Sequence, residues 1–255
     1  MDRASEILGT RAMFGMELGV ARMEAMLEHL GQPQRAFRAI HVVGTNGKSS
    51  TTRFACAALA ASGLRAGAYL SPHISGWHER VLIAESGGLP APIDAAAFLA
   101  AVEAAEAAAQ AVDAERGGAC TQFEVLTATN AVALDHTEHL GVLREATATE
   151  KLAVLTPGAV LIAGGIDDEI EPVVQRLAAE HEVARALLLG DGAFDDELPD
   201  LAAAGSFQRG NATLALGAAA ALLGDGFDAR KAMAAVAKVQ VPGRLEVIAR
   251  FPVVI

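Results

Sequence analysis

Eight consecutive residues constrain this chain more than any others: Gly44-Thr45-Asn46-Gly47-Lys48-Ser49-Ser50-Thr51. They stand between a short apolar run, Ala39-Ile40-His41-Val42-Val43, and a helical pattern from Ser49 to Ser62 that Gly63 closes. Strand, glycine-rich turn and helix, in that order, is the context of a phosphate-binding loop. Glycines let backbone N–H groups turn inward, and the helix that follows presents its positive end to phosphate oxygens. Lys48 adds a full positive charge, and a hydroxyl from Ser49 or Ser50 can reach a magnesium ion. The spacing departs from the usual G-x-x-x-x-G-K-[ST], because Val42 stands where the first glycine would be. The bland alternative is a glycine-rich turn with a solvated lysine; the flanking elements and the run of hydroxyls weigh against it.

The remainder of the chain supplies the layers such a loop needs. Of 255 residues, 52% are hydrophobic and only 4% aromatic, and 56 are alanine. Alanine-rich helices on an aliphatic sheet suit that mixture better than a β-sandwich. Met16, Val20, Met23 and Leu27 predict an early amphipathic helix, stopped by Gly31 and Pro33. Strands are predicted at 39–43, 66–70, 131–134, 159–163 and 185–189, with helices at 49–62, 94–112, 143–154, 170–181, 210–223 and 228–238. Residues 245–248 and 252–255 are strand-like, and 85–92 and 190–205 read as loops. This alternation predicts an α/β fold with a parallel sheet covered on both faces.

Several classes drop out. No stretch reaches 18 apolar residues without a charge or turn former, which argues against a membrane span. The first twenty residues mix charges through the first turns and lack a signal-peptide apolar block. A net charge of -11 disfavours a general nucleic-acid binder. Cys56 and Cys120 lack metal-ligand spacing and suggest no disulfide framework. The expectation is a soluble, cytoplasmic protein with no nucleic-acid or membrane partner.

Ligands of an open parallel sheet bind beyond the carboxyl ends of its strands. Ser71-Pro72-His73 and Asp135-His136 fall at such predicted ends, as the glycine-rich loop does. Singly, each histidine reads as an ordinary hydrogen-bonded side chain; their shared position favours a functional reading. Lys151 by itself reads as a solvated helix lysine.

The loop 44–50 resembles the phosphate loop of the Mur ligases. Tyr69-Leu70-Ser71-Pro72-His73 with Trp77-His78-Glu79-Arg80 narrows the resemblance to the folylpolyglutamate/dihydrofolate synthase branch. Phe123-Glu124-Val125-Leu126-Thr127, Leu134-Asp135-His136, Glu150-Lys151-Leu152-Ala153, Gln208-Arg209-Gly210-Asn211-Ala212 and Pro242-Gly243-Arg244-Leu245-Glu246 follow in the family's order. The resemblance implies a P-loop type, mostly parallel sheet with helices on both faces, like the Mur ligase central ATP-binding domain. It implies an ATP-dependent carboxylate–amine ligase of folate metabolism, with ATP and Mg2+, joining L-glutamate to a folate or pteroate through an acyl phosphate. Carried over residue by residue, Gly44, Thr45, Asn46, Gly47, Lys48, Ser49 and Ser50 would wrap the triphosphate. Asn211 would meet the base or ribose, and Arg244 the phosphates. Ser50, Ser71 and His136 would be metal ligands. Lys48, Lys151 and His136 would be catalytic, with Lys151 at a position that can be carbamylated. Ser71, His73, Arg80 and Phe123 would approach the pterin-bearing substrate.

Two departures accompany the resemblance. Between Thr127 and Asn130 the family carries further elements, including a strand ending in a metal-binding glutamate, for which Asp135 or Glu124 is the candidate replacement. Residues 1–244 read as the ATP-binding ligase domain, and 245–255 as the start of a C-terminal domain that is absent. The expectation is impaired ligation by the chain alone, with a partner chain as a source of the missing domain. The alternatives are a non-catalytic ATP-binding module, a Mur-type peptidoglycan ligase relative, and a small kinase; the kinase lacks a visible base or lid.

Overall fold

Asp94 starts the longest helix. In the computed structural model its carboxylate accepts from the amides of Ala96 and Ala97 at 2.9 and 3.1 Å, an N-cap of the kind that stabilises a helix by about 1 kcal/mol. Gly117, at φ +66°, ends the helix in the left-handed conformation that costs glycine nothing. The structure describes residues 2–13, 20–44, 46–133, 155–164, 166, 171–189, 197–246, 249–250 and 253–254. In chain order its helices are α1 (Arg3–Gly9), α2 (Ala21–His29), α3 (Lys48–Ala61), α4 (Ala95–Arg116), α5 (Gln122–Ala133), α6 (Glu171–Glu180), α7 (Phe207–Leu223) and α8 (Ala229–Val236). The strands are β1 (Ala66–Tyr69), β2 (Val81–Ala84), β3 (Ala91–Pro92), β4 (Val160–Gly164), β5 (Arg185–Leu189), β6 (Ala249–Arg250) and β7 (Val253–Val254).

Two compact units result. The first comprises Met1–Arg38, Gly67–Ile83 and Ala91–Glu138. In it α4 buries Phe98, Ala101, Val102, Ala105, Ala108, Ala109 and Val112, one stripe at helical spacing, against α1, α2 and α5. By length and composition α4 is apolar enough to cross a membrane; here its apolar stripe packs inside the unit. β1, β2 and β3 form a small sheet in that order, with β2 and β3 antiparallel.

The second unit comprises Ala39–Ala66, Ala84–Pro90 and His139–Ile255. α3 is its central helix, buried almost continuously from Ser50 to Ala60 and packed against α7 and α8. Alanines at 55, 57, 58 and 60 on α3 and at 212, 215, 218 and 219 on α7 are all buried, so small side chains bring these helices close. β4 and β5 pair in parallel, Val160 opposite Arg185 through Gly164 opposite Leu189. α7 crosses them at Gly217, where a Cβ would come within 2.6 Å of Leu189 Cδ1. α6 covers the pair with Val174, Leu177 and Ala178.

The α/β class and the parallel β4–β5 pair agree with the sequence, and most helices lie where the pattern put them. The sheet is less continuous than expected: beside that pair, the described strands form a three-stranded sheet and the two-residue antiparallel pair β6–β7. Two expectations need correction. Residues 39–43 form no strand, because a β-run becomes a strand only when a neighbour accepts its ladder, and no described strand does. Residues 131–133 continue α5 instead of starting a strand. The joined segment Phe123–Ala133 contains no glycine or proline to break it, and its Val125, Leu126 and Ala128 bury at helical spacing. Half of the strand-like run 245–248, residues 247–248, lies outside the described residues, and the pair β6–β7 follows it. The predicted helix 143–154 and most of the early helix before Ala21 lie outside the described residues.

Candidate nucleotide and substrate loops

The glycine-rich loop opens α3. Gly47 is the residue before the helix and sits at φ +78°, and its carbonyl accepts from Thr51 N–H at 2.9 Å. Helix geometry directs the amides of the first turn, Lys48 to Ser50, out of the helix N-terminus. Those donors and the helix dipole favour an anion at this point. Gly44 is buried and also at positive φ, +153°. Lys48 Nζ folds back to donate to Gly44 O at 2.5 Å, so the ammonium sits over the loop it would neutralise. Ser50 is buried in the first turn and Ser49 half-buried. Thr45 lies outside the described residues.

Gly47 faces the first turn of α7. A Cβ at Gly47 would overlap Asn211 Oδ1 and approach Asn211 Cγ to 3.1 Å. Thr51 Oγ1 donates to the same Oδ1 at 3.5 Å, and Asn211 Nδ2 donates to Gln208 Oε1 at 3.0 Å. Gln208 is fully buried, and its Nε2 has no hydrogen-bond partner among the described residues. Arg244 lies exposed in the turn after Val241, its amide donating to Val241 O at 3.3 Å.

In the first unit, residues 71–80 form a self-supporting loop. Glu79 accepts from the amides of Ile74, Ser75 and Gly76 at 2.9, 2.9 and 3.0 Å. Burial pushes its carboxyl up, but those amides outweigh it and hold Glu79 below its ordinary value. Arg80 Nε donates to His73 Nδ1 at 3.0 Å, and the guanidinium lies 4.9 Å from the Trp77 ring centroid. The His73 and Trp77 rings are 4.5 Å apart. Burial, then the Arg80 charge, lowers the His73 pKa, and because Nδ1 accepts from Arg80 the ring proton is on Nε2. The Ser71–Pro72 peptide is cis. Ser71 and Phe123 are exposed, the latter by 61%.

The structure therefore joins Gly44, Gly47 and Lys48 with Asn211, and separately joins His73 with Arg80. His136 and Lys151 lie outside the described residues, as does Asp135. Among the described residues no cluster of three His, Cys, Asp or Glu side chains forms a metal cage. Glu124, a candidate replacement metal ligand, is otherwise engaged. It accepts from Thr121 N and Thr121 Oγ1 at 2.7 and 2.8 Å, while Thr121 Oγ1 accepts from Glu124 N at 3.2 Å, and Arg22 Nε binds it at 2.9 Å. This is a capping box for α5, readable in the Thr-x-x-Glu spacing. The motifs contain Gln208 and Glu79 without marking their parts; the signals are the Gln-x-x-Asn spacing on one helix face for Gln208 and the three loop amides for Glu79.

No family model matches the chain. Among curated proteins, the dihydrofolate synthase/folylpolyglutamate synthase of Bacillus subtilis is 36% identical over 127 residues, covering 50% of this chain and 28% of that protein. The Mycobacterium tuberculosis protein of the same description is 27% identical over 310 aligned positions, covering 92% of this chain and 62% of its own length. The chain thus spans less than two thirds of either relative. The 310 positions exceed the 255 residues here, so the second relative carries residues with no counterpart in this chain. Among solved structures, Mycobacterium tuberculosis folylpolyglutamate synthase complexed with ADP superposes with a TM-score of 0.81 at 24% identity, covering 98% of this chain and 68% of that one. An AMPPCP–folate complex of folylpolyglutamate synthase gives 0.80 at 21%, covering 98% and 74%. These neighbours agree with the family resemblance read from the motifs, and the fold is theirs.

Proposed function

We propose, on a fold and a set of relatives that are those of the folylpolyglutamate and dihydrofolate synthases, that this chain is the nucleotide-binding part of an ATP-dependent amide ligase. Its substrates are ATP, L-glutamate and a folate or pteroate, and its place is the cytoplasm. One observation carries the reading: the left-handed Gly47 turn at the head of α3, with Lys48 folded onto it. The donor set suits a triphosphate, since amides and an ammonium are what phosphate oxygens accept from. Magnesium, a hard cation, suits hydroxyl and phosphate oxygens in place of a protein cage, and Ser50 offers the hydroxyl. The neighbours support the same reading through what they bind, ADP, AMPPCP and folate.

When bound, ATP supplies the phosphoryl group that activates a carboxylate for amide formation. The chain's own residues do the rest. Amides of residues 48–50 hold the phosphates, and Lys48 exchanges Gly44 O for the charge that develops there. Thr45 and Asn46 complete the wrap, with Arg244 on the phosphates and Asn211 beside the loop. Ser50, Ser71 and His136 serve magnesium, and Lys151 and His136 the chemistry. His73, Arg80 and Phe123 meet the acceptor: Arg80 offers a forked cation to a carboxylate, and His73 an Nε2–H donor. Two free, buried thiols, Cys56 and Cys120, fit a reducing compartment.

Calorimetric titration with Mg-AMPPCP tests this. Lys48→Ala should weaken binding by more than about tenfold, the loss of one charge-assisted contact; equal affinity in the two proteins would overturn the assignment. ATP-dependent joining of radiolabelled glutamate to dihydropteroate or folate then separates a ligase from a nucleotide binder.

A further inference from the structure

We infer that Asn211 is a positioning residue for the phosphate loop, acting through Gly47 and Thr51, with Gln208 fixing its amide. The inference rests on the nucleotide reading above and assigns Asn211 work other than contact with base or ribose. Both polar ends of the Asn211 side chain face protein. Oδ1 accepts from Thr51 Oγ1 and occupies the space a Gly47 side chain would need. Nδ2 donates to Gln208 Oε1. An amide can rotate by half a turn and exchange its oxygen for its nitrogen; in the orientation found, Gln208 Oε1 takes Nδ2 and leaves Oδ1 to Thr51 and Gly47. Gln208 and Asn211 stand three apart on α7, on one helix face, and Gln208 is wholly buried, so it cannot move aside cheaply.

The consequence falls on Gly47. Its left-handed turn sets the direction of the α3 amides, and the Asn211 carbonyl limits how far that turn can swing toward α7. Thr51, whose amide closes the first helical hydrogen bond onto Gly47 O, is tied to Asn211 Oδ1 through its hydroxyl. One carbonyl thus holds both ends of the first turn. Loop donors pre-aimed at the phosphates bind without paying to order the turn first.

The test uses a probe with neither base nor ribose, magnesium tripolyphosphate, beside Mg-AMPPCP. Asn211→Ala should weaken both by a similar factor, about tenfold. Loss confined to Mg-AMPPCP would overturn the inference in favour of contact with the nucleoside. A second arm needs no ligand. Amide hydrogen exchange at Thr51 should quicken in Asn211→Ala while amides within α4 keep their protection; unchanged exchange at Thr51 would also overturn it. Quicker exchange in a protein whose wild type binds neither probe would uphold the positioning role and refute the nucleotide reading. Finally, Asn211→Ala introduced into Gly47→Ala should recover part of the lost tripolyphosphate affinity by removing the overlap, whereas independent roles would make the two losses add.

Discussion

Arg11 and Glu106, ninety-five residues apart, meet through two parallel contacts, Nε to Oε2 at 2.6 Å and Nη2 to Oε1 at 2.9 Å. The same guanidinium reaches Asp113 Oδ2 and Cys120 O, both at 2.9 Å, so one side chain ties the segment after α1 to α4 and to the turn preceding α5. Both partners are largely shielded, with side-chain exposures of 9% for Arg11 and 16% for Glu106. Replacing Arg11 by Met keeps most of the volume but strands two carboxylates. It should cost about 3 kcal/mol, read as a lower urea midpoint with an unchanged slope.

Acid should destabilise the protein in two stages. The His73 pKa is depressed from 6.5 by burial and Arg80, so the unfolded chain binds the extra proton first. Stability from this group is complete above pH 6.5 and declines as pH falls toward the folded value. Glu106, Asp113 and Glu124 are pushed up by burial, but their hydrogen bonds and arginine partners outweigh it and leave them depressed. Their contribution is present above the ordinary values of 4.5 and 3.8 and is lost as pH falls through the folded ones. Thermal melts from pH 8 to 3 should show a shallow decline beginning near 6.5 and a steep one below 4.5. His73→Asn should shrink the first and leave the second, the remainder of the first belonging to His41, which burial also lowers.

Glu79→Gln should loosen the loop carrying His73 and Arg80 without touching the core. The charged acceptor of three amides becomes a neutral one, and charge-assisted bonds are about twice as strong as neutral ones. Under the proposed function the expected outcome is a raised KM for the folate or pteroate acceptor, by about tenfold, with the Mg-AMPPCP dissociation constant unchanged.

The Thr121–Glu124 capping box and the Arg22 contact should make Glu124→Gln a stability variant. Gln can still reach the Thr121 amide, so the loss should be about 1 kcal/mol by urea unfolding. Affinity for magnesium, titrated with AMPPCP present, should not change, since this carboxylate serves the helix start.

Phe54 is wholly buried at the centre of α3 among alanines. Phe54→Ala leaves a hole that alanine neighbours cannot fill and should cost about 3–5 kcal/mol, seen as a much lower denaturation midpoint.

Local rules were legible in the sequence. Asp94 and Asp228 cap the helices they precede, Gly117 terminates α4, the Thr-x-x-Glu box starts α5, and the glycine-rich loop heads α3. Each depends on residues within four positions of one another, so spacing alone reveals it. The motifs also carried the family resemblance, because glycine, lysine and hydroxyl residues at fixed offsets have few other uses. What tertiary structure decided were matters of partnership. Whether 39–43 becomes a strand depends on a neighbour's ladder, and whether 131–133 is strand or helix depends on what α5 packs against. Glu124 meets Arg22 and Arg11 meets Glu106 across about a hundred residues, and Gly47 must be glycine because Asn211 stands opposite. Charge pairing and steric exclusion act through space at a few ångströms, a distance that separation along the chain does not encode.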